Sequence, residues 1–423
     1  MVKLLIIADD FTGALDTGVQ FAAGGAETRV VTNVEYDFES AEEEVLVLDA
    51  ETRHLKKEEA YEVVFRISRR AFESGVPYLY KKTDSALRGN VGAELRAVLD
   101  ATGRPSIHFL PAFPRMNRIT RNGIHYIDGV PVHESVFGQD PFEPVTCSSI
   151  RQMIESDIPV TVVSEMGGWR PNPGIMVYDA SSDRELKEAG RFLMEADELH
   201  LMAGCAGFAG VLPELLHLNR RADREITLTE PFFVACGSVN PITKSQLDFA
   251  QKNGCERIRL TPPQKLEQDY YETAEGRHFL EEWAGLAAEQ KVCILDTNDP
   301  PGSGETLDYA REHGITLEDL RVRISSTLGY ILKGLLELGL GGTLLITGGD
   351  CLIGFMKHIG CEAIAPVCEM APGTVLSEIE VKGRRLGVIS KSGGFGAETL
   401  LVDLARRIKG KEEEKKVCLQ AII

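Results

Sequence analysis

Two adjacent carboxylates, Asp9 and Asp10, close the apolar run of LLIIADDFTG, residues 4–13, and lead into a glycine turn. Neighbouring carboxylates repel unless a cation or a hydrogen-bond donor faces them. One aspartate before a helix is accounted for as a cap on the free N–H groups, and the second is then surplus. Arg53, in DAETRHL after the strand-like run 45–49, would by itself be read as a solvated loop residue. YKKTDSALRGNVGAEL, residues 80–95, is denser. It gathers Lys81, Lys82, Thr83, Asp84, Ser85 and Arg88 before a helix. An ammonium, hydroxyls and helix-start N–H groups together suit a carboxylate or phosphate. A capped loop with an internal Lys–Asp pair is the plainer alternative, and the number of polar types in one turn favours the ligand. Arg115, Arg118 and Arg121 recur at three-residue spacing in a proline-bounded loop, either an anion site or a strip of surface ion pairs.

The second half carries glycine where the first carries charge. FFVACGSVNPITKSQL ends a strand at Gly237-Ser238 and opens a helix with Pro241 near its first position. LLITGGDCLIGF ends another at Gly348-Gly349-Asp350, followed by Cys351, and LGVISKSGGFGAETLL a third at Ser392-Gly393-Gly394. Glycine lets backbone approach a phosphate, and helix N-termini supply the N–H donors. One such turn is common in any α/β domain; three in one domain suggest a nucleotide.

These turns need a scaffold that presents strand ends side by side. Strand-like runs at 4–8, 45–49, 76–82, 106–110, 174–179 and 199–203 alternate with helical stretches at 14–23, 57–74, 91–101 and 183–196. The alternation restarts beyond a polar segment, 218–230, with strands near 232–236, 256–260, 291–295, 343–347, 362–368 and 385–390. Helices fit 241–253, 274–290, 317–338 and 396–409. The expected fold is therefore α/β: two α/β domains with mainly parallel sheets, 1–225 and 226–410, and a flexible tail at 411–423. Ligands in such sheets sit beyond the carboxyl ends of the strands. GIHYIDGVPVHES, residues 123–135, reads as a β-hairpin turned by Asp128-Gly129 and projecting as a flap, with His125 and His133 on it.

At 423 residues the chain exceeds one hydrophobic core, in line with two domains. Its 64 acidic against 46 basic residues, a net charge of −18, disfavour nucleic-acid and anionic-membrane partners. No apolar run approaches the roughly 18 residues that span a bilayer, and MVKLLIIADD meets acid too early for a secretory signal. Nine cysteines without a C-x-x-C pair read as reduced thiols, so a cytoplasmic protein is expected. G-x-x-x-x-G-K-[ST] is missing, as are G-x-G-x-x-G after the first strand and H-E-x-x-H. These gaps count against a standard P-loop NTPase, a conventional dinucleotide oxidoreductase and a zinc hydrolase.

IADDFTGALDTG, KKTDSALRGNVGAEL, ACGSVNPITKSQ, TGGD and SKSGGFGAETLL, in this order, resemble the four-carbon acid sugar kinase family over roughly residues 1–410. The resemblance implies an N-terminal acid-sugar domain, a C-terminal nucleotide domain and an active site in the cleft between them. It implies phosphorylation of threonate, erythronate or 3-oxo-tetronate by ATP, at the terminal hydroxyl, with Mg²⁺. By motif, Asp9, Asp10, Arg53, Lys82, Thr83, Asp84 and Ser85 would line the acid-sugar site. The aspartates would face hydroxyls, and Arg53 and Lys82 the carboxylate. Ser238, Gly348, Gly349, Asp350, Cys351 and Gly394 would hold ATP. Asp10 and Asp84 are the candidate proton acceptors, with Asp350 an alternative base or a Mg²⁺ contact; no metal ligand is assigned. The chain departs from the family pattern at Ala86, where threonine is expected, and at Cys351, where a small hydroxyl residue is usual. Ala86 is expected to remove a polar contact near the substrate, and Cys351 to alter contacts to the nucleotide. A non-catalytic sensor of the same ligands is the rival reading, with an intact set of turns against it. Oligomeric state is left open, a homo-oligomer included.

Overall fold

A computed structural model of the chain describes residues 2–38, 41–140, 143–154, 157–166, 170–218, 225–410 and 416–418. It divides into two compact units, Met1–Ala222 and Asp223–Ile423.

The first unit holds strands β1 (Leu4–Ala8), β2 (Thr28–Val31), β3 (Val45–Asp49), β4 (Tyr78–Lys82) and β5 (Ser106–Leu110). It continues with β6 (Arg118–Arg121), β7 (Ile124–Ile127), β8 (Val130–Pro131), β9 (Val160–Val163), β10 (Gly174–Tyr178) and β11 (Leu201–Gly204). Its main sheet runs β2-β3-β1-β4-β11-β5-β10-β9, every pair parallel. All five residues of β1 are buried, as expected of a central parallel strand covered on both faces. The chain moves from β1 to β3 on one side and to β4 on the other, so the crevice beyond β1 is a topological switch point. Strands β2 and β9 are short, and the sequence pattern does not reveal them.

The hairpin expected at 123–135 is the second half of a three-stranded antiparallel sheet, β6-β7-β8. Asp128 and Gly129 at φ 51° and 84°, and Asn122 and Gly123 at φ 50° and 68°, turn its two connections. Positive φ at both central residues matches the right-handed twist of the flanking strands. The three arginines do not form one patch. Arg115 pairs with Asp183 at 2.8 Å, Arg121 donates to Ser181 Oγ at 2.9 Å, and Arg118 is buried.

The second unit holds β12 (Glu225–Thr227), β13 (Phe232–Cys236), β14 (Glu256–Arg259), β15 (Val292–Asp296) and β16 (Thr343–Thr347). Three long strands, β17 (Ala363–Ala371), β18 (Thr374–Val381) and β19 (Arg384–Lys391), and a short β20 (Lys416–Cys418) complete it. Its sheet order is β14-β15-β13-β16-β19-β18-β17, parallel from β14 to β19 and antiparallel thereafter. Here β13 is the switch point. Its apolar core includes Phe232, Val234, Leu345 and Ile389 from the sheet and Leu247, Leu401 and Leu404 from covering helices. Within the stretch expected to be a tail, Lys416–Cys418 pair antiparallel with Glu225–Thr227, and 411–415 and 419–423 lie outside the described residues.

Candidate active site

In the first unit the residues singled out by type meet beyond β1, β3 and β4. Asp10 caps the helix Phe11–Ala23, accepting from the Gly13 N–H at 3.0 Å. The capping role is thus real, and it does not exhaust Asp10. Arg53 donates Nη1 to Asp10 Oδ2 at 2.8 Å and Nη2 to Asp10 Oδ1 at 2.5 Å, while its Nε reaches Asp9 Oδ2 at 2.8 Å. The Arg53 backbone N–H also donates to Asp9 O at 3.1 Å, which fixes the loop after β3 against the end of β1. Far from being a solvated loop residue, Arg53 is buried. It is the cation that lets two adjacent carboxylates persist.

Lys81 and Lys82 belong to β4, and successive strand residues point to opposite faces. Lys81 turns away to Glu94 Oε2 at 3.1 Å, a buried structural pair. Lys82 faces the site, where its Nζ lies 3.9 Å from Asp9 Oδ1, its single ion pair among the described residues. A Cβ on Gly13 would come within 2.5 Å of Lys82 Nζ, so this glycine makes room for the ammonium over the first helical turn. Asp84 binds Arg88 through both oxygens, at 2.8 and 3.1 Å, and accepts from the Ala86 and Arg88 N–H groups at 3.2 and 3.3 Å. Its turn bends through Leu87 at φ 64°, a conformation costing a β-carbon residue about 1–2 kcal/mol. Thr83 Oγ1 is buried without a hydrogen-bond partner.

Burial alone would raise the Asp9 carboxyl, but Arg53, Lys82 and Lys81 together hold it below the ordinary range. Burial would likewise raise Asp84, and Arg88, Arg53 and Lys82 outweigh it, leaving its carboxyl well below that range. Asp49, at the end of β3, goes the other way: burial, then the neighbouring Glu51 and Asp10 charges, push it well above. Both Asp9 and Asp84 are therefore fixed anions. Asp10, with 22% of its side chain exposed against 2% for Asp9 and 11% for Asp84, is the most accessible of the three.

The antiparallel hairpin sheet is tied to this turn by a residue whose role the sequence does not specify. His125, fully buried, donates Nε2–H to Ser85 O at 2.9 Å, and its Nδ1 then accepts from Thr120 Oγ1 at 3.1 Å. Burial brings its pKa down to about 4, so the ring is neutral. Ala86 packs with Ile127, Val132 and Val145 in an apolar cluster under the hairpin. Ala86, where the family pattern has threonine, is thus a fully buried packing contact of the hairpin.

In the second unit, β13, β16 and β19 lie side by side with Cys236, Thr347 and Lys391 in register. Their three glycine turns therefore emerge together. The Ser238 N–H donates to Thr347 Oγ1 at 3.4 Å, and a Cβ on Gly393 would come within 2.6 Å of Ser238 Oγ. Gly348 precedes the helix Gly349–Ile359 at φ 94°, a value that favours glycine. Gly394 sits beside Asn240, the cap of the helix Pro241–Lys252. Asp350, in the first turn of its helix, is half exposed and 3.6 Å from Arg321. Cys351 is buried with its sulfur against Gly237, and burial pushes its thiol far up. Its side chain thus packs beneath the turn.

Lys391, unremarked in the sequence, supplies the charge. Its Nζ donates to Thr243 Oγ1 at 2.9 Å, to Ser392 O at 2.9 Å and to Gly393 O at 3.3 Å. Burial lowers its pKa to about 8, with the Cys236 thiol opposing. The strand-final position before Ser392-Gly393-Gly394 is the signal that could have found it.

Residues 4–212 match the model of the sugar-binding N-terminal domain and residues 233–401 that of the nucleotide-binding C-terminal domain. A D-threonate kinase of Salmonella typhimurium is 32% identical, covering 95% of this chain and 97% of its own. The chain belongs to the four-carbon acid sugar kinase family. A D-erythronate kinase of Heliobacterium modesticaldum is 25% identical, with 94% of each chain covered. The fold is shared with a crystal structure from Salmonella typhimurium LT2 at TM-score 0.78 and 20% identity, over 96% of this chain and 99% of that one. No helix among the described residues is long and apolar enough to cross a membrane.

Proposed function

We propose that this family member is an ATP-dependent kinase that phosphorylates a four-carbon sugar acid, threonate, erythronate or 3-oxo-tetronate, at its terminal hydroxyl. The observation that carries the reading is the buried Lys82 ammonium, left with one distant carboxylate partner beside a cluster of fixed anions. An acid sugar supplies what each lacks. Its carboxylate meets Lys82, while its hydroxyls donate to Asp9, Asp10 and Thr83 Oγ1. Arg53, already shared between Asp9 and Asp10, orients those carboxylates and adds positive potential. Asp10, the accessible carboxylate, accepts the proton of the attacking hydroxyl. Asp84, engaged by Arg88 through both oxygens, shapes the turn that presents Thr83 and Ser85.

On the nucleotide side, Ser238, Gly348, Gly349 and Gly394 offer backbone and hydroxyl donors to the phosphates of ATP, and Lys391 braces the turn at Gly393. Asp350 is the carboxylate placed to hold Mg²⁺ directly or through water; no trio of His, Cys, Asp or Glu able to cage a metal occurs among the described residues. That suits Mg²⁺, which keeps several waters and takes one or two carboxylates with substrate phosphates. Bound there, it would neutralise charge on the phosphate oxygens. Phosphoryl transfer then rests on positioning and electrostatics, with little covalent work for the protein.

The test is ADP release from ATP and Mg²⁺ with each stereoisomer of threonate and erythronate and with 3-oxo-tetronate, against a control lacking acid. Turnover is expected with at least one acid. Nucleotide binding without turnover on any of them would favour a sensor.

A further inference from the structure

Two cations of the first site reach it from opposite sides of β1, Arg53 from the loop after β3 and Lys82 from the end of β4. Pairing with β1 fixes the strands; the course of the loop that carries Arg53 is left to other contacts. We propose that Glu94, at the start of the helix Val91–Thr102, is the positioning residue that sets Arg53 against Lys82, by bracing both strand ends at once through Thr52 and Lys81. The inference rests on the acid-sugar reading above and goes beyond it to residues buried behind the site.

Glu94 is fully buried, and each of its carboxylate oxygens serves a different strand end. Oε1 accepts from Oγ1 of Thr52, the residue before Arg53. Oε2 lies 3.1 Å from Nζ of Lys81, the residue before Lys82. Lys81 Nζ extends the restraint by donating to Lys82 O at 2.6 Å. Asn90, four residues before Glu94, adds a second tie. Its Nδ2 donates to Thr52 O at 3.1 Å and to Leu55 O at 2.9 Å, so the loop is held on both sides of Arg53. Gly89, at φ 82°, completes the contact: a Cβ there would stand 3.2 Å from Arg53 Cγ, so the arginine stem lies against bare backbone.

Local stability does not account for this arrangement. An N-cap asparagine ordinarily accepts from the free N–H groups of its own helix, which contributes about 1 kcal/mol. Asn90 makes no such bond and turns its side chain to the loop instead. A first-turn glutamate is favoured by the helix dipole while still in water, yet Glu94 is buried against Lys81, itself fully buried. Buried ion pairs are often no more stabilising than apolar side chains of the same volume. A helix start that forgoes its own cap and takes in a buried charge is explained by where it holds Arg53 and Lys82. Misplacing such groups by about 1 Å can cost about a hundredfold.

The test is steady-state kinetics, with the acid that wild type turns over, in Thr52→Val, Thr52→Ser, Asn90→Ser and the control Ser182→Ala. Thr52→Val removes the hydroxyl from Glu94 at nearly constant shape, and Thr52→Ser restores it. Asn90→Ser keeps a good N-cap residue that is too short to reach the two carbonyls; this position is partly exposed, so it carries the test should Thr52→Val not fold. Ser182 caps the helix Asp183–Glu195, accepting from the Glu185 N–H at 3.2 Å, and makes no contact with the braced loop. Thermal melts set an assay temperature at which the variants are folded. KM for the acid is expected to rise at least fivefold in Thr52→Val and Asn90→Ser, by more than kcat falls, with ADP affinity within twofold of wild type. Thr52→Ser and Ser182→Ala are expected within twofold of wild type in both constants. An unmoved KM in Thr52→Val and Asn90→Ser, or an equal rise in Ser182→Ala, would overturn the positioning role and leave the substrate reading standing. A wild-type chain that turns over no acid would instead remove that reading, and this inference with it.

Discussion

The two units each bring loops to a switch point of a parallel sheet, yet they prepare for an anion in opposite ways. Beyond β1 the first unit sets Asp9, Asp10 and Asp84 against Arg53, Lys82 and Arg88, in a nearly closed set of ion pairs. Beyond β13 the second unit uses glycine turns, helix starts and one buried lysine held by neutral oxygens. Side chains in fixed positions can read a small ligand's stereochemistry, because each hydroxyl must find its own partner. Backbone N–H groups grip phosphate whatever is attached to it, so recognition of the rest of that ligand has to come from elsewhere. The contrast suits a specific small acid in one unit and a common phosphate donor in the other.

The largest effect should come from Arg53→Ala, which strands the buried Asp9 carboxylate and the partly exposed Asp10 beside it. Losing one member of a buried pair costs about 3–5 kcal/mol, and urea unfolding should show it together with loss of acid-dependent turnover. A change below 1 kcal/mol would mean that the first site is not held by charge. Asp10→Asn keeps the helix cap and removes the proposed proton acceptor. Its kcat should fall about a hundredfold, equivalent to about 2.7 kcal/mol, while Asp84→Asn should change KM for the acid more than kcat. The reverse ranking would exchange the two roles.

A third effect is one of pH. The folded His125 takes up its proton only near pH 4, the unfolded ring near 6.5. Between those values the unfolded state binds more protons, so stability is present above pH 6.5 and drains away as pH falls. One proton contributes at most about 1.4 kcal/mol per pH unit. The stability slope between pH 6.5 and 5 should therefore flatten in His125→Asn, and an unchanged slope would deny the burial. The smallest expected effect, about 1–2 kcal/mol, is that of Gly348→Ala. A Cβ there would stand 3.9 Å from its nearest neighbours, Cys351 Sγ and Ser238 N, so space is ample and the cost is the positive φ alone. Nucleotide affinity should fall and acid affinity should not.

Much of this was legible in the sequence because chemistry and fold shared the same motifs. LLIIADDFTG shows a buried strand and its surplus aspartate together, and the glycine turns follow apolar runs that became β13, β16 and β19. What stayed hidden depended on three-dimensional neighbours. Arg53 reads as a solvated loop residue until β3 is placed beside β1. Lys81 and Lys82 look equivalent until the pleat separates them, although strand periodicity already implies it. β18 has no clear strand signature because TVLSEIEV mixes charge into an antiparallel strand, and nothing near Ala86 in sequence tells that it packs under the hairpin. The Arg257–Asp296 pairing joins residues 39 apart in sequence and has no local signature.

The most direct measurement is a crossed titration: acid and ADP, each alone, into wild type, Lys82→Met and Gly348→Ala. The account predicts that Lys82→Met loses acid binding and keeps ADP, and that Gly348→Ala does the opposite. Loss of ADP binding in Lys82→Met with acid binding intact would contradict the division of labour between the two units.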